Sequence, residues 1–127
     1  MFAQGAKLTA MIQHVSLEVR KADADACVRF WGLLGFTEVD VPSEALRGST
    51  RWVERAGTQI HLLLAEEPVA PPQGHVAVVA DGYAATLDAL REAGFAPEPR
   101  TEHWGAKRAF VRDPVGHRVE VMERAPA

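Results

Sequence analysis

Four side chains of metal-binding type recur at matching places in this 127-residue chain. His14 and His75, 61 residues apart, each sit near the start of a strand-like stretch, Ile12-Gln13-His14-Val15-Ser16-Leu17-Glu18-Val19 and Gln73-Gly74-His75-Val76-Ala77-Val78-Val79-Ala80. His61, in Thr58-Gln59-Ile60-His61-Leu62-Leu63-Leu64, lies 59 residues before Glu120, in His117-Arg118-Val119-Glu120-Val121-Met122. Imidazole nitrogens with a carboxylate oxygen suit a borderline divalent ion such as Zn²⁺, Ni²⁺, Co²⁺, Mn²⁺ or Fe²⁺. Such an ion with open coordination positions holds two adjacent substrate oxygens and acts on them as a Lewis acid. The two remaining histidines carry weaker claims. His103 sits in a polar stretch and His117 follows a turn, so both are expected to be solvated.

Strands must place these groups. Over residues 12–19 the chain alternates, with Gln13, Val15, Leu17 and Val19 on one face and Ile12, His14, Ser16 and Glu18 on the other. By the same parity His75 and Glu120 lie opposite Val76/Val78 and Val119/Val121, where a cavity ligand should point. A helix capped by Asp23 or Asp25 is expected through about Leu34, with Ala26, Phe30, Leu33 and Leu34 on its apolar stripe and Gly35 ending it. A short strand over 36–41, a loop over 42–48 and a hairpin of strands 51–55 and 59–64 turning at Ala56-Gly57 follow.

Glu66 to Gly74 holds Pro68, Pro71 and Pro72 and reads as a linker, taken as 67–73, between a first module over about 11–66 and a second over about 74–124. The second module repeats the order: strand 75–80, helix 83–93, Gly94 as stop, and strands near 95–100, 107–112 and 117–123. Asp113-Pro114-Val115-Gly116 supplies the last reversal. Gly32-Leu33-Leu34-Gly35-Phe36 returns as Arg91-Glu92-Ala93-Gly94-Phe95, again 59 residues on. The expected fold class is α+β, with two tandem βαβββ modules forming a cupped mixed sheet around a metal or ligand cavity. Residues 1–10 have no period and read as an N-terminal extension, with Met11 a candidate natural start.

Composition narrows the function classes. A formal charge of −3 gives no basic field, so nucleic acid is not an expected partner. No apolar run is long enough for a membrane span, and the N-terminus lacks the basic-then-apolar pattern of a signal peptide, so no membrane role is expected. Cys27, the single cysteine, cannot form an internal disulfide and reads as a packing residue, which suits a reducing cytoplasm.

The duplicated order and four signatures resemble the vicinal oxygen chelate superfamily, which includes glyoxalase I, fosfomycin-modifying thiol transferases, methylmalonyl-CoA epimerase, extradiol dioxygenases and bleomycin-resistance proteins. The signatures are His14 in Ile-Gln-His-Val-Ser-Leu, the helix tail Phe30-Trp31-Gly32-Leu33-Leu34-Gly35-Phe36, Gly74-His75-Val76-Ala77, and Asp113-Pro114-Val115-Gly116-His117-Arg118-Val119-Glu120. The resemblance spans about residues 11–123. It implies that His14, His75 and Glu120 are metal ligands, and it matches His61 to a position where glyoxalase I and the epimerase usually carry Glu or Gln. It also implies a homodimer, with the site within one chain or shared between two.

Two chemistries stay open at this point. In glyoxalase-like chemistry a carboxylate beside the metal moves a proton at the carbon next to a carbonyl. Glu120 would be that base, with His61 as a second base or a fixed ligand. Alternatively His14, His75 and Glu120 form the two-histidine-one-carboxylate set of non-haem iron oxygenases. No counterpart is evident for the basic residues of the fosfomycin enzymes. A third reading is a resistance-type protein that sequesters a small ligand without chemistry. Parity suggests Trp52, Arg108 and Phe110 as walls for a small acid or conjugated carbonyl compound, with Trp104 in Glu102-His103-Trp104-Gly105 as a rim residue covering a ligand.

Overall fold

Two strand-helix-strand-strand-strand modules follow one another in the computed structural model, which describes residues 8–127. Most of the expected N-terminal extension, 1–7, lies outside the described residues, and residues 8–10 are exposed and without secondary structure. The first module runs β1 (His14–Val19), a 3-10 turn (Lys21–Asp23), α1 (Ala24–Leu33), β2 (Thr37–Val39), α2 (Glu44–Arg47), β3 (Thr50–Arg55) and β4 (Thr58–Leu64). The second runs β5 (Val76–Val79), α3 (Tyr83–Glu92), β6 (Glu98–Pro99), β7 (Arg108–Arg112) and β8 (Arg118–Met122). No strand or helix lies between Leu64 and Val76, where the prolines cluster.

Each module makes its own four-stranded mixed sheet, in the orders β1-β4-β3-β2 and β5-β8-β7-β6. The first strand pairs parallel with the last, and the remaining neighbours pair antiparallel. The turn between β3 and β4 falls at Ala56-Gly57, both with positive φ (51° and 84°), the twist a two-residue hairpin demands. Gly35 and Gly94 end the equivalent helices with φ of 89° and 93°, so the repeat extends to the backbone.

One core joins the modules. Val19, Val53, Ile60 and Leu62 from the first sheet and Ala109, Val111, Val119 and Val121 from the second are buried with Cys27, Phe30 and Trp31 of α1 and Leu87 and Leu90 of α3. Phe30 meets Phe95 of the other module edge to face, ring centroids 5.1 Å apart. Burying each large apolar side chain contributes roughly 1.5–3 kcal/mol, so neither module keeps its stability without the other. Arg55 adds a bond to Val79 O (3.1 Å) and an ion pair with Asp81 (2.7 Å).

Several expectations shift. The loop over 42–48 contains the short α2, which follows Pro42-Ser43, and the last-but-two strand shrinks to Glu98–Pro99, because proline at position 99 donates nothing to a ladder. Asp23 does occupy the N-cap of α1 but makes no capping bond, and its carboxylate lies 3.6 Å from Arg20. His117 is not solvated. It is 3% exposed, and its Nε2 lies 2.7 Å from the carbonyl oxygen of Glu18, 99 residues away, linking β8 to β1. His103 is exposed as expected. Among the described residues no helix is long and apolar enough to cross a membrane.

Candidate metal and substrate site

Helices cover one face of each sheet, and the candidate site residues lie on the other. In the first sheet Ile60, Leu62 and Val53 turn to the core, so their alternates Gln59, His61 and Trp52 must turn away. Register sets His61 opposite Trp52 on β3 and Ser16 on β1, and His14 opposite Gln59. The rings form a stack of three. His61 lies between His14 (centroids 3.9 Å, planes 12° apart) and Trp52 (4.0 Å, 2°).

Hydrogen bonds then fix the ring edges. His61 Nε2 lies 2.7 Å from Gln59 Oε1, and Gln59 Nε2 donates to Glu54 Oε1 at 2.8 Å. Because the Gln59 amide nitrogen is committed to Glu54, its oxygen faces His61, and His61 Nε2 carries the proton. Burial holds the His61 imidazole below its ordinary pKa, and the neighbouring His14 adds to that. His14 Nδ1 lies 2.8 Å from Gln13 Oε1, which leaves its Nε2 unengaged by the described residues. An imidazole binds an ion in its ring plane, so the two nearly parallel rings of His14 and His61 cannot both hold one ion as they stand.

The second sheet repeats the plan with different chemistry. Val119 and Val121 face the core, and Glu120, opposite Phe110 on β7 and Ala77 on β5, faces away. His75 stands immediately before β5 with Nε2 3.0 Å from Glu120 Oε1 and Nδ1 2.8 Å from Gln73 O. Arg108 Nε donates to Glu120 Oε2 at 2.8 Å, and the same guanidinium donates to Thr101 O at 2.9 Å. Burial alone would raise the Glu120 carboxyl pKa. The bonds and charges of Arg108 and His75 outweigh it, and the group is held below its ordinary value.

His75 therefore has an acceptor at each nitrogen. The Gln73 carbonyl can only accept, so Nδ1 donates to it, and Nε2 faces an ionised carboxylate. That contact is satisfied when the imidazole is protonated, or when a cation lies between nitrogen and oxygen. A backbone carbonyl that takes Nδ1–H and so presents Nε2 as the free ring nitrogen is how metal-bound histidines are commonly oriented.

The four expected ligands thus stand as two pairs, His14 with His61 on the first sheet and His75 with Glu120 on the second. Among the described residues no three His, Cys, Asp or Glu side chains gather as a group able to hold an ion. Of the expected substrate walls, Trp52 lies on the stack with His61, and Phe110 meets His75 edge to face at 5.1 Å, with Arg108 beside it. Trp104 is engaged elsewhere. Its indole donates to Arg124 O at 2.9 Å and ties the loop before β7 to the chain after β8. Gln59 and Arg118 were not singled out, although parity with His61 and Glu120 places both on the open faces. The role of the Gln73 carbonyl has no signal in residue type.

Comparison with known proteins agrees with this architecture. Solved structures that superpose include a protein from Bacillus anthracis assigned to the glyoxalase family (TM-score 0.81, 20% identity, 94% of this chain and 99% of that one). A member of the glyoxalase/bleomycin resistance protein/dioxygenase superfamily from Sphaerobacter thermophilus matches with TM-score 0.69 and 21% identity over 91% and 98%. The oxidase ChaP-H2 matches with TM-score 0.73 and 21% identity over 94% and 98%. No curated protein matches the sequence significantly. A family model matches residues 11–121, nearly the whole described chain, and the protein belongs to the Glyoxalase/Bleomycin resistance protein/Dioxygenase superfamily.

Proposed function

We propose that the protein is a divalent-metal-dependent, glyoxalase-like lyase or isomerase acting on a small substrate with vicinal oxygens. It works as a homodimer in which the open face of one chain's first sheet meets the open face of the partner's second sheet. The observation that carries the metal is the His75–Glu120 contact, in which a nitrogen and an ionised oxygen 3.0 Å apart are both oriented by second partners. The donor set fits a borderline ion such as Zn²⁺, Ni²⁺, Co²⁺, Mn²⁺ or Fe²⁺. His75 and Glu120 would hold it with His14, whose Nε2 is available. His61 would join only after its ring leaves the stack.

When bound, the ion supplies stabilisation of negative charge on two adjacent substrate oxygens. The chain's own groups do the rest. Arg108 holds Glu120 by Oε2 and keeps it ionised, and Oε1 would take a proton from the carbon beside a carbonyl when it is loosely held by the ion or detached from it. Neutral His61 stands as a second proton acceptor through Nδ1, and the Trp52 and Phe110 rings supply flat walls.

The dimer is supported by the incompleteness of the site in one chain. A twofold axis that applies one face to the other places two ligand pairs together twice, since each chain offers both faces. A second reading, iron-dependent oxygenation, is favoured by the same two-histidine-one-carboxylate trio and by a structural neighbour named as an oxidase. Metal content of untagged protein tests both. We expect about one ion per chain or fewer, lost in His75→Ala and Glu120→Ala. Zinc, nickel or cobalt would favour isomerisation, and iron with oxygen uptake would favour the second reading. Unchanged metal in either variant, or no metal after reconstitution, would overturn the site and leave a ligand-sequestering protein.

A further inference from the structure

The open face of the second sheet carries more positive charge than its ion pairs use. The guanidinium carbons of Arg118, Arg108 and Arg100 lie 4.4, 5.0 and 5.4 Å from the centroid of the Phe110 ring. Two of them have carboxylate partners, Arg108 with Glu120 at 2.8 Å and Arg100 with Glu98 at 3.0 Å. Arg112, opposite Arg118 in the register, donates to Gly116 O at 2.9 Å, a neutral acceptor. The Arg118 guanidinium has neither a hydrogen bond nor an ion pair among the described residues, and it lies over the ring of Phe110. A cavity of about 250 Å³ opens between these groups, lined by Glu98, Arg100, Phe110, Arg112 and Arg118.

Crowding guanidinium groups around one ring costs repulsion that cation–π attraction only partly offsets, and an anion placed among them removes it. The arginine fork matches the two oxygens of a carboxylate, or two of a phosphate, along parallel N–H···O bonds. We infer that Arg118, with Arg112 and Arg100 around the Phe110 ring, forms an oxyanion-binding subsite that takes the carboxylate or phosphate group of a small organic acid. Arg118 and Glu120 lie on the same face of β8 two residues apart, which is about 7 Å along a strand. A ligand seated here by its acidic group extends across Phe110 toward His75 and Glu120. The inference deepens the proposed function and rests on it for what happens at that far end, but the subsite itself needs no metal.

Benzoate and inorganic phosphate serve as probes, titrated calorimetrically into untagged, chelator-treated protein. Both are expected to bind saturably, benzoate more tightly because its ring lies on Phe110. Arg118→Gln is expected to weaken both by about tenfold or more, as loss of a bidentate charged contact does. Arg118→Lys, which keeps the charge and loses the fork, is expected to fall between the two and covers the case in which the glutamine variant does not fold. Arg20→Gln, an exposed arginine of the other module, is expected to leave binding unchanged. Metal content of Arg118→Gln is expected to equal wild type, so failure of the metal site and failure of this subsite read out separately. Absence of saturable binding to wild type, or equal binding by wild type and Arg118→Gln, would overturn the inference. Dissociation of a dimer by Arg118→Gln in sedimentation would also overturn it, because a carboxylate of the second copy would then be the natural occupant.

Discussion

Arg108 of β7 reaches diagonally across to Glu120 of β8, with Nε 2.8 Å from Oε2, and their side chains are only 13% and 9% exposed. The arginine is what keeps a largely buried carboxylate ionised beside His75. Arg108→Ala would leave that charge without its partner. Breaking such a pair from one side costs about 3 kcal/mol, and Arg108→Ala is expected to lose about that in urea unfolding at neutral pH. The double variant Arg108→Ala/Glu120→Gln should regain much of it. Additive losses in the double variant would show that the pair is not coupled.

The ring stack gives an optical signal. Trp52 lies 4.0 Å from His61 in nearly parallel planes, and His61 lies 3.9 Å from His14. Co²⁺ or Ni²⁺ held by His14 is expected to quench Trp52 fluorescence. Of the three tryptophans, Trp31 is in the core and Trp104 is tied to Arg124. Trp52→Phe should therefore remove most of the metal-dependent change while metal content stays the same. Undiminished quenching in Trp52→Phe would place the ion elsewhere.

Asp113 carries a pH signature outside the site. Its Oδ1 accepts from the backbone N–H groups of Val115 and His117 at 2.9 and 2.8 Å, while Oδ2 is buried without a partner. Burial raises the carboxyl above its ordinary 3.8, against the lowering effect of the backbone N–H groups and His117. The folded state thus binds this proton more tightly than the unfolded chain does. Its stabilising contribution is present below the unfolded value and is lost as pH rises through the folded value. Asp113→Asn keeps the acceptor and removes the charge. Its stability relative to wild type is expected to improve as pH rises from about 4 through the folded value. Asp113→Ala, which loses both accepted bonds, is expected to cost about 2 kcal/mol throughout. A flat difference between Asn and Asp over that range would contradict the assignment.

Much of this was legible in residue order because sheets have a period of two. Parity alone places His14, Trp52, His61, Phe110 and Glu120 on open faces, and the 59-residue echo of Gly35 in Gly94 locates both helix ends. Long-range features were not legible. His117 reads as a turn residue until Glu18 O, 99 positions away, is brought against it. The division of the four ligand-type residues into two pairs depends on how the two sheets sit on a shared core, which no local pattern encodes. His61 reads as a ligand by position, whereas its Nε2 is bonded to Gln59, whose orientation is set in turn by Glu54. Trp104 is aromatic and flanked by polar residues, as a rim residue would be, yet its indole is committed to Arg124.

The proposed metal site joins the first sheet of one chain to the second sheet of another. The direct test mixes two inactive halves. His14→Ala and Glu120→Ala are prepared separately, each metal-free, then unfolded together and refolded at equal amounts with enough Zn²⁺ to fill one site per chain, as is wild type in parallel. In a twofold dimer, about half of the molecules become mixed, and each mixed dimer contains one site with both faces intact. Metal binding, measured as ions retained after gel filtration, is expected to return in the mixture to about a quarter of the wild-type level per chain. Neither variant refolded alone should retain any. Absence of recovery in the mixture, with mixed dimers shown to have formed, would contradict a site shared between chains.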